Sequence, residues 1–200
     1  MNKSLTEFFE EIYKNKVFVN KEDSCISLSG PGSFPENCIN YLLYLKEFLN
    51  KNNIKSVVDY GCGDFKLYKH FSWNNINYLG IDVSETAINI ANQFSANNIK
   101  FLCKETIDLP KADLLIVKDV FGHWLPGNST TLYSNDLGDQ SSIITDFLNV
   151  NESKFKYIII VDNLNGGIKK YFPNSFKYEE TQIEFGGKYK KKDKKVYIKG

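Results

Sequence analysis

Apolar residues along the chain follow two spacings, one typical of buried strands and one typical of amphipathic helices. Short apolar runs predict five strands, at residues 54–60, 77–82, 99–102, 112–118 and 157–161. Helical spacing predicts helices at residues 4–15, 35–52 and 141–150, one after Ser84, and one that carries Leu67, Tyr68 and Phe71. Strands that alternate with helices in this way predict a mainly parallel sheet with helices on both faces.

The carboxyl-terminal part of the chain departs from this alternation. Residues 176–185 and 194–199 both have strand-like patterns, and no helical pattern separates them. Two consecutive strands without a crossover helix pair in antiparallel fashion. The tail therefore predicts an antiparallel hairpin at the end of an α/β fold.

The first predicted strand ends in an acid and two glycines, in the stretch Val57–Asp64. Glycine allows both a sharp turn into a helix and the close approach of a ligand. Asp82 ends the second strand about 20 residues later, where nucleoside-binding α/β units place an acid on the ribose. Lys66 replaces the third glycine of the dinucleotide fingerprint, and Asp59 would repel a pyrophosphate. The stretch favours a ligand with a nucleoside and a cationic group, with an ordinary strand-to-helix turn as the alternative.

Val57–Asp64 followed by Gly80–Asp82 resembles the first two motifs of the class I S-adenosylmethionine-dependent methyltransferases. The resemblance implies a Rossmann-like, doubly wound, seven-stranded sheet with one reversed strand, and S-adenosylmethionine as the cofactor. It also implies that the glycine loop passes under the methionine part of the cofactor and that the second acid holds the ribose hydroxyls. The residues that receive these cofactor-binding roles are Asp59, Gly61, Cys62, Gly63, Asp82 and Val83.

The same resemblance assigns two further segments to the cofactor pocket. A turn-rich segment at residues 27–33 matches one subgroup of the family, in which it closes over the cofactor. An acid ahead of Leu109–Pro110 takes the position that contacts the adenine amino group. The residues assigned in this way are Gly30, Gly32, Ser33, Glu105 and Thr106. A plain connector and an exposed loop acid are the alternatives for these two segments.

The strand at 112–118 runs into Lys118 and Asp119, and His123 follows shortly afterwards. Polar groups at the carboxyl edge of a parallel strand lie where α/β proteins bind ligands. The arrangement resembles the fourth motif of the family, which implies a cofactor contact for Lys118 and catalytic roles for Asp119 and His123. An imidazole with a pKa of about 6.5 can accept a hydroxyl proton at neutral pH. The alternatives for His123 are binding of an anionic acceptor and a structural role in its turn.

Two polar stretches complete the candidate features. Residues 125–139 are a long polar stretch, which we expect to be a loop that covers the acceptor site. The basic run Lys188–Lys195 is expected to be a solvated hairpin surface that protects an edge strand. Nucleic-acid binding is the alternative for this run.

Composition narrows the classes of function. The 200 residues, 42% of them hydrophobic, predict a single domain, with N-terminal helices and a covering segment at 1–52 and an α/β core at 54–200. The net charge of +1 provides no overall field that recruits nucleic acid or a membrane. Four cysteines without a C-x-x-C pair, and two histidines, predict no metal site. The lack of a signal-peptide pattern predicts a cytoplasmic protein.

These observations predict an S-adenosylmethionine-dependent methyltransferase that acts on a small molecule or on a glycan or capsule precursor, with oxygen as the expected acceptor atom. One alternative is a nucleic-acid methyltransferase, which only the basic run favours. The other is a non-catalytic, cofactor-binding partner subunit. The presence of Lys118, Asp119 and His123 argues against that second alternative.

Overall fold

The sheet at the centre of the fold is assembled from the apolar runs of the sequence. A computed structural model describes residues 4–17, 28–124, 141–162, 168–185 and 192–200. The strands that the described residues contribute are β1 (Ser56–Tyr60), β2 (Asn77–Asp82), β3 (Ile99–Cys103), β4 (Ala112–Lys118), β5 (Phe155–Asp162), β6 (Glu179–Phe185) and β7 (Lys192–Lys199).

These seven strands form one sheet in the order β3-β2-β1-β4-β5-β7-β6. Strands β1 to β5 pair in parallel, whereas β7 runs antiparallel to both β5 and β6. The predicted α/β fold, with a mainly parallel seven-stranded sheet and an antiparallel hairpin, is therefore confirmed. The strand order reverses at β1, because β2 and β3 are added on one side of it and β4 and β5 on the other. Such a switch point opens a crevice at the carboxyl ends of the strands.

The helices of the described residues begin and end close to the predicted positions. They are α1 (Leu5–Lys14), α2 (Ile39–Lys51), α3 (Glu85–Ala91) and α4 (Ser141–Asn151). Ser4 caps α1 by accepting from the Glu7 N–H at 3.1 Å, while the Glu7 carboxylate accepts from the Ser4 N–H at 3.0 Å. Ser84 caps α3, as predicted. The helix predicted at 35–52 is divided into a 3-10 helix, Pro35–Asn37, and α2.

Helices cover both faces of the sheet and so produce two apolar cores. On one face, α1 and α4 pack against strand residues such as Val58, Leu115 and Ile160. On the other face, α2 packs against residues such as Val57 and Leu114. Because successive strand residues point to opposite faces, sequence neighbours such as Val57 and Val58 enter different cores. This arrangement explains why the central strands are apolar throughout.

The helix predicted after the first glycine turn is wrong, because residues 61–71 fold as a series of turns. The φ angle of Phe65 is +61°, which is incompatible with a right-handed helix. Its carbonyl accepts from the Tyr68 N–H at 3.2 Å, three residues later. Phe65, Tyr68 and Trp73 nevertheless pack around the ring of Tyr78 in β2. The segment thus covers the sheet as a helix would, without forming one.

Candidate active site

A pocket of about 120 Å³ lies at the carboxyl edge of the sheet, at the switch point between β1 and β4. Helix α1 and the segment after residue 28 close it from outside. The lining residues that the sequence analysis also selects are Ser33, Asp59, Gly61, Cys62, Asp82, Val83, Lys118, Asp119 and His123. The other lining residues are Leu5, Phe9, Tyr13, Ser29, Tyr60, Leu67, Tyr68, Val120 and Trp124.

The glycine turn after β1 is crowded by the protein itself. Gly61 and Gly63 have φ angles of +76° and +59°, which residues with side chains rarely adopt. A Cβ on Gly61 would lie 2.3 Å from Cγ2 of Val120, and one on Gly63 would lie 2.2 Å from Oγ of Ser29. Glycine was expected here for a sharp turn and for the close approach of a ligand; both φ angles fit the turn, and neighbouring side chains also exclude a Cβ at both positions. Gly61 lines the pocket, and Gly63 shapes the turn through its backbone.

Asp82 ends β2 and lines the pocket with a carboxylate held by backbone groups. One oxygen accepts from the Gly63 N–H and the other from the Ser84 N–H, both at 2.9 Å. Burial raises the pKa of Asp82, and the backbone hydrogen bonds oppose that shift. Since a carboxylate can accept about four hydrogen bonds, the group keeps capacity for a ligand hydroxyl.

Asp59, near the end of β1, is a second buried carboxylate in the pocket lining. The Tyr78 hydroxyl donates to its Oδ2 at 2.5 Å. Burial raises the pKa of Asp59 to about 7, although Tyr78 and the charge of Lys118 act in the opposite direction. Because the carboxyl titrates near neutral pH, a cationic ligand group in the pocket would favour its ionised form.

The segment after residue 28 is tied to the glycine turn through Ser29, which the sequence analysis does not select. Ser29 Oγ donates to Asp64 Oδ1 at 2.9 Å and accepts from the Asp64 N–H at 3.0 Å. The hydroxyl of Tyr13 in α1 lies 2.9 Å from the same Oγ. One serine therefore joins α1, the covering segment and the glycine turn.

The three predicted covering residues occupy a short 3-10 turn at Pro31–Ser33 and the residue before it. The carbonyl of Gly30, whose φ is +80°, accepts from the Ser33 N–H at 3.0 Å. A Cβ on Gly32 would lie 3.0 Å from Oδ2 of Asp119, so this turn packs directly on the end of β4. Of the three residues, Ser33 lines the pocket and the two glycines shape the turn.

At the end of β4, two lysines share the carboxylate of Asp119. Lys118 Nζ lies 2.5 Å from Asp119 Oδ2 and donates to the Gly32 carbonyl at 2.7 Å. Lys194 Nζ lies 2.6 Å and 2.5 Å from the two oxygens of Asp119. Burial alone would raise the pKa of Asp119, but the two ammonium groups hold it well below its usual range.

Lys194 is a functional candidate that the sequence analysis misses. It belongs to the basic run that was expected to be solvated, yet its side chain is only 5% exposed. Strand β7 is antiparallel to β5, and Asp162 at the end of β5 pairs with Lys195. A residue near the start of β7 therefore lies at the carboxyl edge of the parallel strands. The expectation of a wholly solvated basic run is wrong for Lys194.

His123 lies in a short 3-10 helix, Phe121–Trp124, on the wall of the pocket. Its ring packs edge-on against that of Phe9 in α1, with centroids 5.9 Å apart. Burial lowers the pKa of His123, Asp119 partly offsets this effect, and Lys194 adds to it. The imidazole is therefore neutral at neutral pH and has a nitrogen lone pair that can accept a proton.

Asp162 holds the turn that carries His123, and the sequence analysis does not select it either. Its Oδ2 accepts from the Gly122 N–H at 2.8 Å. A Cβ on Gly122 would lie 2.7 Å from Oδ1 of Asp162. The sequence did contain a signal for Asp162, because it is an acid at the end of a buried apolar strand.

Glu105 and Thr106 follow β3 and are not among the pocket-lining residues in the described part of the chain. The Thr6 hydroxyl of α1 donates to Glu105 Oε2 at 2.5 Å. Thr106 Oγ1 accepts from the Asp108 N–H at 3.1 Å. The contact with Thr6 places Glu105 beside the helix that closes the pocket, and its adenine contact stays a prediction.

Other predicted features lie outside the described residues, namely the loop at 125–139 and residues 188–191 of the basic run. Across the described ranges, no group of three or more His, Cys, Asp or Glu side chains is arranged to hold a metal ion. No helix of these ranges is long and apolar enough to cross a bilayer.

Comparison with known proteins identifies the family. The profile of a protein family described as "Methyltransferase domain" matches residues 51–199. The chain therefore belongs to this methyltransferase family. No curated protein sequence matches the chain.

Solved structures share the fold at low sequence identity. Magnesium protoporphyrin IX methyltransferase from Synechocystis PCC 6803, solved with bound SAM, has a TM-score of 0.67 and 14% identity, over 98% of this chain and 95% of its own. The N-methyltransferase NodS from Bradyrhizobium japonicum WM9 has a TM-score of 0.58 and 11% identity, over 82% and 96%. The bifunctional kinase-methyltransferase WbdD has a TM-score of 0.58 and 15% identity, over 83% of this chain and 40% of its own. Family and fold confirm the prediction of a class I methyltransferase that uses S-adenosylmethionine.

Proposed function

We propose that the protein methylates an oxygen atom of a small molecule or a glycan precursor, with His123 as the group that accepts the hydroxyl proton. The position of His123 carries this proposal. It is a half-buried imidazole with a lowered pKa, on the wall of the pocket that also contains Asp59 and Asp82. A base that is neutral at pH 7 suits an acceptor that must lose a proton, such as a hydroxyl.

The residues of the pocket fit S-adenosylmethionine. The carboxylate of Asp82, fixed by two backbone N–H groups, suits the ribose hydroxyls. Asp59 suits the amino group of the methionine part, because a cation beside it favours the ionised carboxylate. The turn at Gly61 brings bare backbone to the pocket surface. When bound, the cofactor supplies a methyl group on a positively charged sulfur.

The side chains of the chain itself would then act on the acceptor. His123 would take the hydroxyl proton, and the nearby carboxylate of Asp119 would stabilise the imidazolium that forms. Leu5 and Phe9 of α1 line the pocket and would keep water away from the reacting oxygen. Orientation of the reactants contributes several kcal/mol to such reactions, and a positioned base contributes about 10²–10⁴-fold.

The proposal can be tested with S-adenosylmethionine that carries a labelled methyl group and a cell extract separated into small-molecule, glycan and nucleic-acid fractions. Label should enter a small-molecule or glycan fraction, and fragmentation of the product should place it on oxygen. His123→Gln should lose most of this labelling, whereas the control Asp113→Asn should keep it, because Asp113 accepts from the N–H groups of Lys55 and Ser56 at the opposite edge of the sheet. Label confined to nucleic acid, or a product methylated on nitrogen, would contradict the proposal.

A further inference from the structure

The cluster formed by Lys118, Asp119 and Lys194 has two positive charges and one negative charge. Within the described residues, the ion pairs of both ammonium groups go to the carboxylate of Asp119. The side chains of Lys118 and Lys194 are only 7% and 5% exposed. A buried excess charge is costly unless a partner of opposite sign accompanies it.

The other titratable groups that act on the cluster do not balance this charge. Burial raises the pKa of the Cys38 thiol, which is therefore neutral at pH 7. Burial also raises the pKa of Asp59 to about 7, so its carboxyl is only partly ionised, and that group already accepts from Tyr78. A lowered pKa keeps His123 neutral. Among the residues that the structure describes, a net positive charge is therefore left at this end of the pocket.

The aromatic ring of Phe185 lies beside both ammonium groups of the cluster, and it carries no negative charge that could neutralise them. Lys194 Nζ lies 4.8 Å and Lys118 Nζ lies 5.9 Å from the centroid of the Phe185 ring. Cation–π contacts of this kind stabilise an ammonium group without removing its charge. The positive charge thus persists at the pocket wall, where Lys118 and Asp119 line the pocket together with His123, and where Lys194 lies behind Asp119.

The hydrogen-bonding capacity of the lysines leads to the same conclusion. An ammonium group has three donors. Lys118 directs two of them to Asp119 and the Gly32 carbonyl, and Lys194 directs two to the oxygens of Asp119. With respect to the described part of the chain, each ammonium group therefore keeps one N–H that a further acceptor can use.

We propose that Lys118 and Lys194 form an anion subsite that holds a carboxylate or phosphate group of the methyl acceptor beside His123. The inference rests on the proposed function and narrows its substrates to acceptors that carry both a hydroxyl and an anionic group. Asp119 holds the two ammonium groups close together, and the acceptor anion completes the charge balance. The anionic group lies next to the methylated oxygen and is not itself deprotonated by His123.

The first test measures binding of inorganic phosphate and of acetate to the complex with S-adenosylhomocysteine, by calorimetry at constant ionic strength. The complex should bind at least one of these ions with a dissociation constant on the order of 1 mM. Lys194→Met keeps the apolar stem and should weaken that binding about 10- to 100-fold, since a hydrogen bond to a charged group is lost. Lys195→Met is the matched control, because Lys195 is the next residue of β7 and pairs with Glu180 instead.

A second variant, Asp119→Asn, should raise the affinity for phosphate, whereas Lys194→Met should lower it. Asp119→Asn removes the carboxylate that the two ammonium groups share, so phosphate should bind about tenfold more tightly than in the unchanged protein. An ion pair that only stabilises the fold would lower the melting temperature in this variant without raising phosphate affinity. Because the expected sign is opposite, Asp119→Asn also decides the matter if Lys194→Met does not fold.

The source of the anion is separated by comparing S-adenosylhomocysteine with 5′-methylthioadenosine, which lacks the carboxylate of the cofactor. If Lys194→Met weakens the binding of S-adenosylhomocysteine but not that of 5′-methylthioadenosine, the subsite holds the carboxylate of the cofactor, and the inference is overturned. No binding of either ion by the unchanged complex, or equal binding by Lys194→Met, would also overturn it and leave the proposed O-methylation standing. Failure of the unchanged protein to bind S-adenosylhomocysteine would instead overturn the proposed function, and this inference with it.

Discussion

The two ends of the pocket are held together by different kinds of contact. At one end, Asp82 accepts hydrogen bonds from the backbone of Gly63 and Ser84, within adjacent parts of two neighbouring strands. At the other end, Asp119 forms ion pairs with Lys118 beside it and with Lys194, 75 residues further along the chain. A backbone N–H donor persists whichever side chain its residue carries, whereas a side-chain cluster changes with single residues. The first end is therefore suited to a constant cofactor and the second to a particular acceptor.

The largest effect is expected at the acceptor end. His123→Gln should lower the methyl-transfer rate about 10²–10⁴-fold and leave the affinity for S-adenosylhomocysteine unchanged. Because burial lowers the pKa of His123, the basic form dominates at pH 7, and the rate of the unchanged protein should fall only below about pH 6.5. Rate measurements from pH 5 to 8 check both statements. His70→Gln, at an exposed position, is the control, and wild-type kinetics in His123→Gln would make His123 a structural residue.

A large effect on stability is expected at the glycine turn. Gly61→Ala should lower the free energy of unfolding by about 2–4 kcal/mol, from overlap with Val120 and a φ of +76°. Val120→Ala removes the overlap. In that background, Gly61→Ala should lower the free energy of unfolding by only about 1–2 kcal/mol, which is the cost of the positive φ. Denaturant unfolding of the four proteins in this cycle measures the coupling. Additive effects would show that overlap with Val120 does not contribute to the requirement for glycine at this position.

The cofactor end can be tested through its ribose acid. Asp82→Asn should weaken S-adenosylhomocysteine about 10- to 100-fold, because a charged acceptor of hydrogen bonds is lost. Calorimetry of the variant beside Asp113→Asn provides the comparison, since Asp113 also accepts backbone hydrogen bonds but at the opposite sheet edge. Equal losses in the two variants would point to general destabilisation instead of a ribose contact.

The smallest effect concerns the attachment of α1. Burial opposes ionisation of Glu10, but hydrogen bonds from Ser84 and Thr86 outweigh it and lower the pKa of Glu10 to about 2. A lowered carboxyl pKa means that the stabilisation is complete above about pH 4.5 and is lost as the pH falls towards 2. Glu10→Gln should cost about 1–2 kcal/mol at pH 7 and almost nothing near pH 2. A difference in melting temperature that did not shrink on acidification would exclude this role.

The central strands were predictable because burial on both faces demands apolar residues at most of their positions. The run Tyr157–Val161 lies wholly within β5, and the run at 112–118 matches β4. The series of turns that replaces the predicted helix after the glycine turn was not predictable from spacing, because Phe65 adopts a positive φ and packs against Tyr78. Tertiary contacts among aromatic rings there outweigh the local preference for a helix.

The sequence by itself placed the proposed cofactor residues at one edge of the sheet, because Asp59, the glycine turn and Asp82 lie at the ends of two apolar runs that must become neighbouring parallel strands. Only the tertiary structure brought Ser29, Asp162 and Lys194 to the same edge. Lys194 lies two residues before the buried Val196, so both side chains point to the same face of the sheet. This signal is hard to recognise within a run of charged residues. It reaches Asp119 because β7 runs antiparallel to β5 and so begins where β5 ends. Strand pairing between distant segments, which local patterns do not encode, decided which charges meet at the acceptor end.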